Sequence, residues 1–353
     1  MVNNLKFYSA LQALLAALLF GASAPLAKLF LGEIDPIPLA SCLYLGSGIG
    51  LLLYRLVNRL KKGYTEAEAK IHINDVKWIL GAVAAGGVAA PIVLMYSLRN
   101  TPASTASLLL NFECVATTLI AAVAFKEAIG KRIWFAIVFI TSASSILTWD
   151  FSGEWGLSIG ALGVLLACIL WGMDNNFTRM ISAKDPLIIV TIKGIGAGCV
   201  SLILANLAGS HFPDLKIIMG AMLLGFFSYG LSIVLFIFAM RHLGASRTSA
   251  FLGTAPFAGA LLSFLLFQEL PNTLFYAASL LMIVGAALIF GEEHEHKHIH
   301  HSFKHEHKHR HDDDHHNHDH LHRAGLEHSH EHTHETIEHS HGHTPDIHHR
   351  HVH

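Results

Sequence analysis

Apolar residues run along this chain in long blocks, not in alternation. Ten blocks stand out, at Phe7–Leu31, Ile37–Val57, Val76–Leu98, Pro102–Phe125, Ile133–Trp149, Leu157–Ile181, Leu187–Ala208, Leu215–Met240, Ala245–Phe267 and Thr273–Phe290. A helix needs roughly 17–25 such residues to cross a bilayer. The stretches between them are short and rich in turn formers, such as Gly32 to Pro36, Asn100-Thr101-Pro102 and Pro271-Asn272. The blocks stop before Glu292, and no apolar segment follows His294. The pattern predicts an all-α membrane protein of ten transmembrane helices with a polar tail. Lys6, the first block and Ala22-Ser23-Ala24 have the outline of a cleaved signal peptide. The same block has a twin later in the chain, so it is expected to stay as the first membrane helix.

The blocks repeat. Thr101–Glu127 aligns without a gap on Leu243–Glu269 at an offset of 142, with Arg99 on Arg241, Ser104 on Ser246, Ser107 on Ser249, Phe125 on Phe267 and Glu127 on Glu269. Phe20-Gly21 falls on Trp171-Gly172, Lys28 on Arg179, Asp35-Pro36 on Asp185-Pro186, Gly46 on Gly196 and Gly48 on Gly198. Each repeat is therefore five helices, at 1–149 and 150–291, with a tail at 292–353. Five is odd, so the second copy enters the membrane inverted relative to the first, an architecture of secondary transporters with a site near the midplane. Basic residues agree. With a cytoplasmic N-terminus, thirteen lysines and arginines fall in loops assigned inside and two, Arg99 and Lys216, outside. Both termini are expected to be cytoplasmic, in the plasma membrane.

Composition adds little. Hydrophobic residues make up 52% and charged residues 14%, a balance that excludes an ordinary soluble domain of this length. Cys42, Cys114, Cys168 and Cys199 lie in apolar blocks without metal-ligand spacing and read as small packing residues. The net charge of −2 points to no particular partner. No nucleic-acid partner is expected. No nucleotide-binding loop occurs, so coupling to ATP hydrolysis within the chain is not supported and no enzyme activity is expected.

Two five-helix repeats, each with a small-residue fourth helix ending in Glu, resemble the drug/metabolite transporter superfamily, EamA type, over about Lys6 to Gly291. Leu108–Glu113 (LLLNFE) and Trp171–Arg179 (WGMDNNFTR) resemble a recurring subgroup of it. The resemblance implies a carrier working by alternating access. Members commonly have a proline near Glu113; here proline appears only in the twin helix, at Pro256.

Ionisable groups at membrane depth are costly and are functional candidates. Glu113 lies near the middle of the fourth block, Asp174 in the sixth, Lys193 in the seventh and Lys28 in the outer part of the first. A single carboxyl in such a setting can take up and release a proton in a working pH range, as a proton-coupled carrier requires. A fixed pairing of Glu113 with Lys28 or Lys193 is the plainer alternative. Asp174 and Thr178 share a helix face, and with Asn175 they offer carboxylate, amide and hydroxyl groups to a cation or a hydroxylated or amine metabolite. Lys193 is the obvious partner of Asp174. Ser104, Ser107, Asn111, Cys114 and Thr118 form a small polar stripe, read as a close packing face. Glu127 and Glu269 read as packing or capping residues.

The tail holds 25 of the 28 histidines. His294, His296, His298, His300, His301, His305, His307, His309, His311, His315, His316, His318 and His320 are interleaved with Lys, Glu and Asp in a segment expected to be disordered. Imidazole and carboxylate groups of this kind suit zinc, nickel or cobalt, although no cofactor is required. The rival role is a polycation that forms below about pH 6.5. The sequence thus predicts a secondary transporter for a divalent metal ion or a small metabolite, its path lined by Glu113, Asp174, Asn175, Thr178, Lys193 and Lys28. Its partners are the lipid bilayer and the substrate, with a homodimer left open. The alternative is a membrane-tethered metal sensor or buffer without transport activity.

Overall fold

A computed structural model describes residues 2–62, 71–126, 129–149, 158–181, 184–243, 248, 251–268, 271, 273–290, 294–300, 304–309, 328–333 and 337–343. Eight helices are long and apolar enough to cross a membrane: α1 (Phe7–Phe30), α2 (Pro36–Leu60), α3 (Ile73–Arg99), α4 (Ala103–Phe125), α5 (Lys131–Thr148), α6 (Ile159–Arg179), α7 (Pro186–Leu207) and α8 (Leu215–Ala239). Two shorter apolar helices follow, α9 (Ala255–Phe267) and α10 (Thr273–Leu288). Large side chains such as Phe7, Leu53, Val123, Phe135, Ile203 and Leu265 face outward, while alanines such as Ala16, Ala24, Ala40, Ala167 and Ala197 fill the centre. Lipid is as apolar as leucine, so close backbone contact rather than water exclusion holds such helices together.

The packing obeys the repeat. Helix α2 packs on α7, α4 on α9 and α5 on α10, while α1 packs on α8 as α6 packs on α3. Every one of these contacts maps onto itself or onto its twin when the halves are exchanged. At the α2–α7 crossing the backbones nearly touch. A Cβ on Gly194 would stand 2.7 Å from the Gly48 nitrogen, one on Gly48 2.5 Å from the Ile195 nitrogen, and one on Gly198 2.5 Å from Leu45. Ser41 donates to the Gly198 carbonyl at 2.8 Å and closes the same seam.

Several expected straight helices are interrupted, and the interruptions also come in twins. Helix α3 carries a π-helical segment at Val83–Ala89 and α8 carries one at Phe226–Leu231. Helix α4 breaks between Ala103–Leu109 and Phe112–Phe125, and the chain turns at Gly253-Thr254 just before α9. Both α4 and α9 end on a left-handed residue, Lys126 at φ 55° and Gln268 at φ 51°, again 142 positions apart. Helix α1 is broken at Ala22, ahead of Pro25. Hydropathy reads apolarity and not hydrogen-bond register, so these features are invisible to it.

Paired charges mark the two ends. At one end Arg99 meets Asp35 at 2.9 Å and the His211 N–H donates to the same carboxylate at 3.1 Å. The Arg99 hydrogen bond, with that N–H, holds the Asp35 carboxyl below its usual value. At the other end the twin, Asp185, caps α7 by accepting from the Leu187 and Ile188 N–H groups at 2.8 and 3.3 Å and faces Arg55 at 3.6 Å.

Within the tail, four short strands are described. Strand β1 (His294–His300) pairs antiparallel with β4 (Ile337–His343), and β2 (Lys304–His309) with β3 (His328–Thr333). Alternating residues have the period of a strand, two, which a ribbon accepts and a helix does not. His301, His311, His315, His316, His318 and His320 lie outside the described residues, as do Glu127 and Glu269.

The glycine seam gives a direct test. Gly194→Leu should prevent a monodisperse protein or lower its stability by about 1–3 kcal/mol or more through overpacking. Gly196→Ala should behave as wild type, because its added Cβ meets Val83 at an ordinary 3.8 Å. Thermal unfolding of both variants in nanodiscs is the measurement; equal stability would show that the α2–α7 seam is not tight.

Candidate functional site

The site forms where α6 crosses α4. Gly172 brings the two backbones together, since a Cβ there would lie 2.9 Å from the Thr117 nitrogen and from the Ala116 Cβ. One turn further, Asn176 donates to the Thr117 carbonyl at 3.0 Å and to the Gly172 carbonyl at 2.8 Å. That clamp aims the neighbouring Asn175 at α4, where its amide donates to Glu113 Oε1 at 2.8 Å and to Thr117 Oγ1 at 3.1 Å.

Glu113 owes its place to the break in α4. Asn111 closes the break without a proline. Its side-chain amide donates to the Leu108 carbonyl at 3.2 Å, and the Cys168 thiol reaches the Leu109 carbonyl at 3.5 Å. The Leu108 carbonyl also accepts from the Asn111 N–H at 3.1 Å, and the thiol serves Leu109, in keeping with the demand of a bilayer that backbone groups be satisfied internally. Glu113 then sits in the first turn of Phe112–Phe125, where the helix dipole favours a negative charge. The Ser107 position of the small polar stripe does pack closely: a Cβ on Gly259 of α9 would lie 2.9 Å from Ser107 Oγ. Thr118 turns its hydroxyl back to the Cys114 carbonyl at 2.8 Å.

On the other face of α6, buried Asp174 pairs with Lys193 of α7 and accepts from Thr178 Oγ1 at 3.1 Å. Asp174 lies against the π-helical segment of α3. The Gly86 carbonyl there accepts from Tyr44 of α2 at 2.7 Å and from Trp171 of α6 at 3.0 Å. A π turn shifts the backbone register by one residue and leaves a carbonyl for outside donors. Tyr44 stacks on Tyr229 of the α8 π segment at 5.8 Å, and Phe20 of α1 meets Tyr229 edge-on at 6.0 Å. An aromatic row therefore joins the two halves beside the charges.

Five of the six sequence candidates, Glu113, Asp174, Asn175, Thr178 and Lys193, come together at this crossing. Lys28 does not. It donates to the Thr101 carbonyl and lies 5.9 Å from the Phe267 ring. Thr101 is about 18 Å from Glu113 along α4, at roughly 1.5 Å per residue. Sequence reasoning missed Tyr44, Trp171, Gly86, Thr117 and Tyr229 as site residues. The Gly86-Gly87 pair and a tyrosine inside an apolar block were the available signals. Tail histidine positions are placed by their backbone only. Among the described residues outside the tail, no group of three or more His, Cys, Asp or Glu could hold a metal.

Comparison with known proteins gives a consistent picture. The model of the EamA-like transporter family matches residues 7–149 and again 158–291, one match for each five-helix repeat. An uncharacterized transporter of Methanothermobacter thermautotrophicus is 26% identical over 301 residues, covering 81% of this chain and 87% of that protein. A crystal structure of a protein 17% identical in sequence superposes with a TM-score of 0.57 over 80% of this chain and 97% of its own, a likeness of fold.

The contact between α3 and α6 is testable. A Cβ on Gly86 would stand 2.0 Å from Asp174 Oδ2 and 2.4 Å from its Cβ. Gly86→Ala should therefore displace the whole Asp174 side chain from Lys193 and cost about 1–3 kcal/mol. Gly81→Ala, which meets only the Phe177 ring edge at 2.9 Å, should be milder. A Gly86→Ala protein melting with wild type in nanodiscs would show that Asp174 is not wedged there.

Proposed function

The chain belongs to the EamA-like transporter family, and on that footing we propose that it is a proton-coupled secondary transporter of a small, amine-bearing metabolite. The observation that carries this reading is the division of labour between two carboxylates. Asp174 is held by Lys193 and Thr178, whereas Glu113 meets the neutral amide of Asn175. The formal charges of these three ionisable residues sum to −1, which favours a positively charged occupant. A proton or an ammonium group satisfies Glu113 equally well, and their competition is how an exchanger couples one flux to another. Thr117 and Asn175 offer hydrogen bonds beside it, and Trp171, Tyr44 and Tyr229 supply faces for an organic cation. The two repeats rock about the shared site in alternating access.

A second reading, transport or sensing of a divalent metal ion, rests on the tail histidines. A coil of roughly sixty residues would reach about 40–45 Å, enough to cover the cytoplasmic mouth and to deliver, buffer or sense zinc, nickel or cobalt there. A homodimer is compatible with either reading.

In proteoliposomes, Glu113→Gln should abolish proton-coupled uptake of amine substrates while the purified protein stays monodisperse. Equal uptake with an unchanged pH profile would overturn the proposal. Metal flux by full-length protein and by protein truncated after Gly291, in the same vesicles, separates the second reading: no metal movement in either removes metal as the substrate.

The thirteen-to-two distribution of basic residues supports a cytoplasmic position for both termini. Cysteine labelling should reach Ser152→Cys from outside and Thr65→Cys only after permeabilisation; the reverse would invert the topology.

A further inference from the structure

The candidate site leaves the tail unused, and its histidines are not evenly phased. In the first arm they occupy even positions, His294, His296, His298 and His300, and then odd ones, His305, His307 and His309. The second arm repeats the shift: His328, His330 and His332 are even, His339 and His341 odd. Antiparallel pairing joins the start of one arm to the end of the other, so even meets odd in both halves. The observed register does this. His294 stands opposite His343, His296 opposite His341 and His298 opposite His339 in the outer pair of strands. His305 stands opposite His332, His307 opposite His330 and His309 opposite His328 in the inner pair. A slip of one residue removes every one of these oppositions, whereas a slip of two preserves the ladder, so the phase specifies a ribbon and forbids half of its registers.

We propose that the tail is a metal-zipped ribbon, in which divalent cations of the zinc and nickel class are held between histidines opposed across β1–β4 and across β2–β3. Opposite residues of an antiparallel pair have Cα atoms about 4.5–5.5 Å apart, and positions i and i+2 share a face. Two successive oppositions therefore bring four histidine positions onto one face of the ribbon, the donor type and number zinc takes. A two-stranded ribbon this polar has no apolar face to bury and little stability of its own. Metal binding supplies the stability, and folding of the ribbon and loading of the metal become one event. This inference rests on the metal-binding reading of the tail and is independent of what the membrane site carries.

The test uses the full chain in nanodiscs with the four native cysteines replaced by alanine and zinc chloride as the probe. Nitroxide pairs are placed at Lys297→Cys with Ser340→Cys, at Lys308→Cys with Ser329→Cys, and at Lys297→Cys with Ser329→Cys. On zinc addition the first two separations should narrow to below about 20 Å, since those residues stand opposite one another. The third should settle near 35 Å, at roughly 3.3 Å per residue along the strand. Replacing His339, His341 and His343 by glutamine should broaden the first separation and spare the second. Zinc bound relative to protein truncated after Gly291 is measured on the same samples. Zinc uptake with all three separations broad, or with the third as short as the others, overturns the ribbon and leaves a metal-binding tail. No uptake above the truncated protein overturns both. In the unsubstituted chain, the zinc-induced gain in antiparallel amide I absorbance reads the same event if the alanine background fails to fold.

Discussion

A backbone group inside a bilayer has no water to turn to, and this protein's interior is arranged around that fact. Several carbonyls inside the bundle accept a side-chain donor. Tyr44 and Trp171 serve the Gly86 carbonyl, Asn111 serves Leu108, and Cys168 serves Leu109. Asn176 and Lys28 likewise donate to the carbonyls of Thr117, inside α4, and of Thr101, just before it. The donors come from four different helices, and all but Asn111 reach another segment of the chain. At Gly86 and Leu109, irregular backbone and helix–helix contact share the same hydrogen bonds.

That arrangement explains what was legible in the sequence. Helix number, the inverted repeat and the glycine twins follow from apolarity and spacing, which are written residue by residue. Asp174 and Lys193 were readable as partners because two opposite charges in apolar helices have few other solutions. The partner of Glu113 was not readable as Asn175, because a neutral amide carries no long-range signal. The π segments were not readable either: Val83–Ala89 and Phe226–Leu231 have the composition of any apolar helix, and only their hydrogen-bond register differs. In the tail, composition points to disorder, and the phase of the histidines carries a register that composition alone discards.

The stabilising and the functional roles of charge also separate cleanly. Buried Asp174 with Lys193 and Thr178 is a satisfied group, and removing one member would strand the other in a medium of low polarity. Glu113 is held by hydrogen bonds from a neutral amide and by its position at a helix N-terminus. The first carboxylate is matched by an opposite charge, the second by a neutral donor. Asn175 and Asp174 are consecutive on α6, so any rotation of that helix moves both groups against their separate partners on α4 and α7.

The scaffold is symmetric and the chemistry is not. The offset of 142 carries Glu113 onto Ala255, and the offset of 151 carries Asp174 onto Ser23. The twin crossing is built alike: Gly21 of α1 lies against α9 as Gly172 of α6 lies against α4, with a Cβ on Gly21 falling 2.2 Å from the Ala255 carbonyl. At the twin crossing, no carboxylate stands at either equivalent position. Two-fold related halves allow the protein to exchange inward- and outward-facing shapes by the same motion in reverse. Glu113 and Asp174 each stand in one repeat without a counterpart in the other, an asymmetry of residues laid on a frame whose helices and glycine contacts repeat.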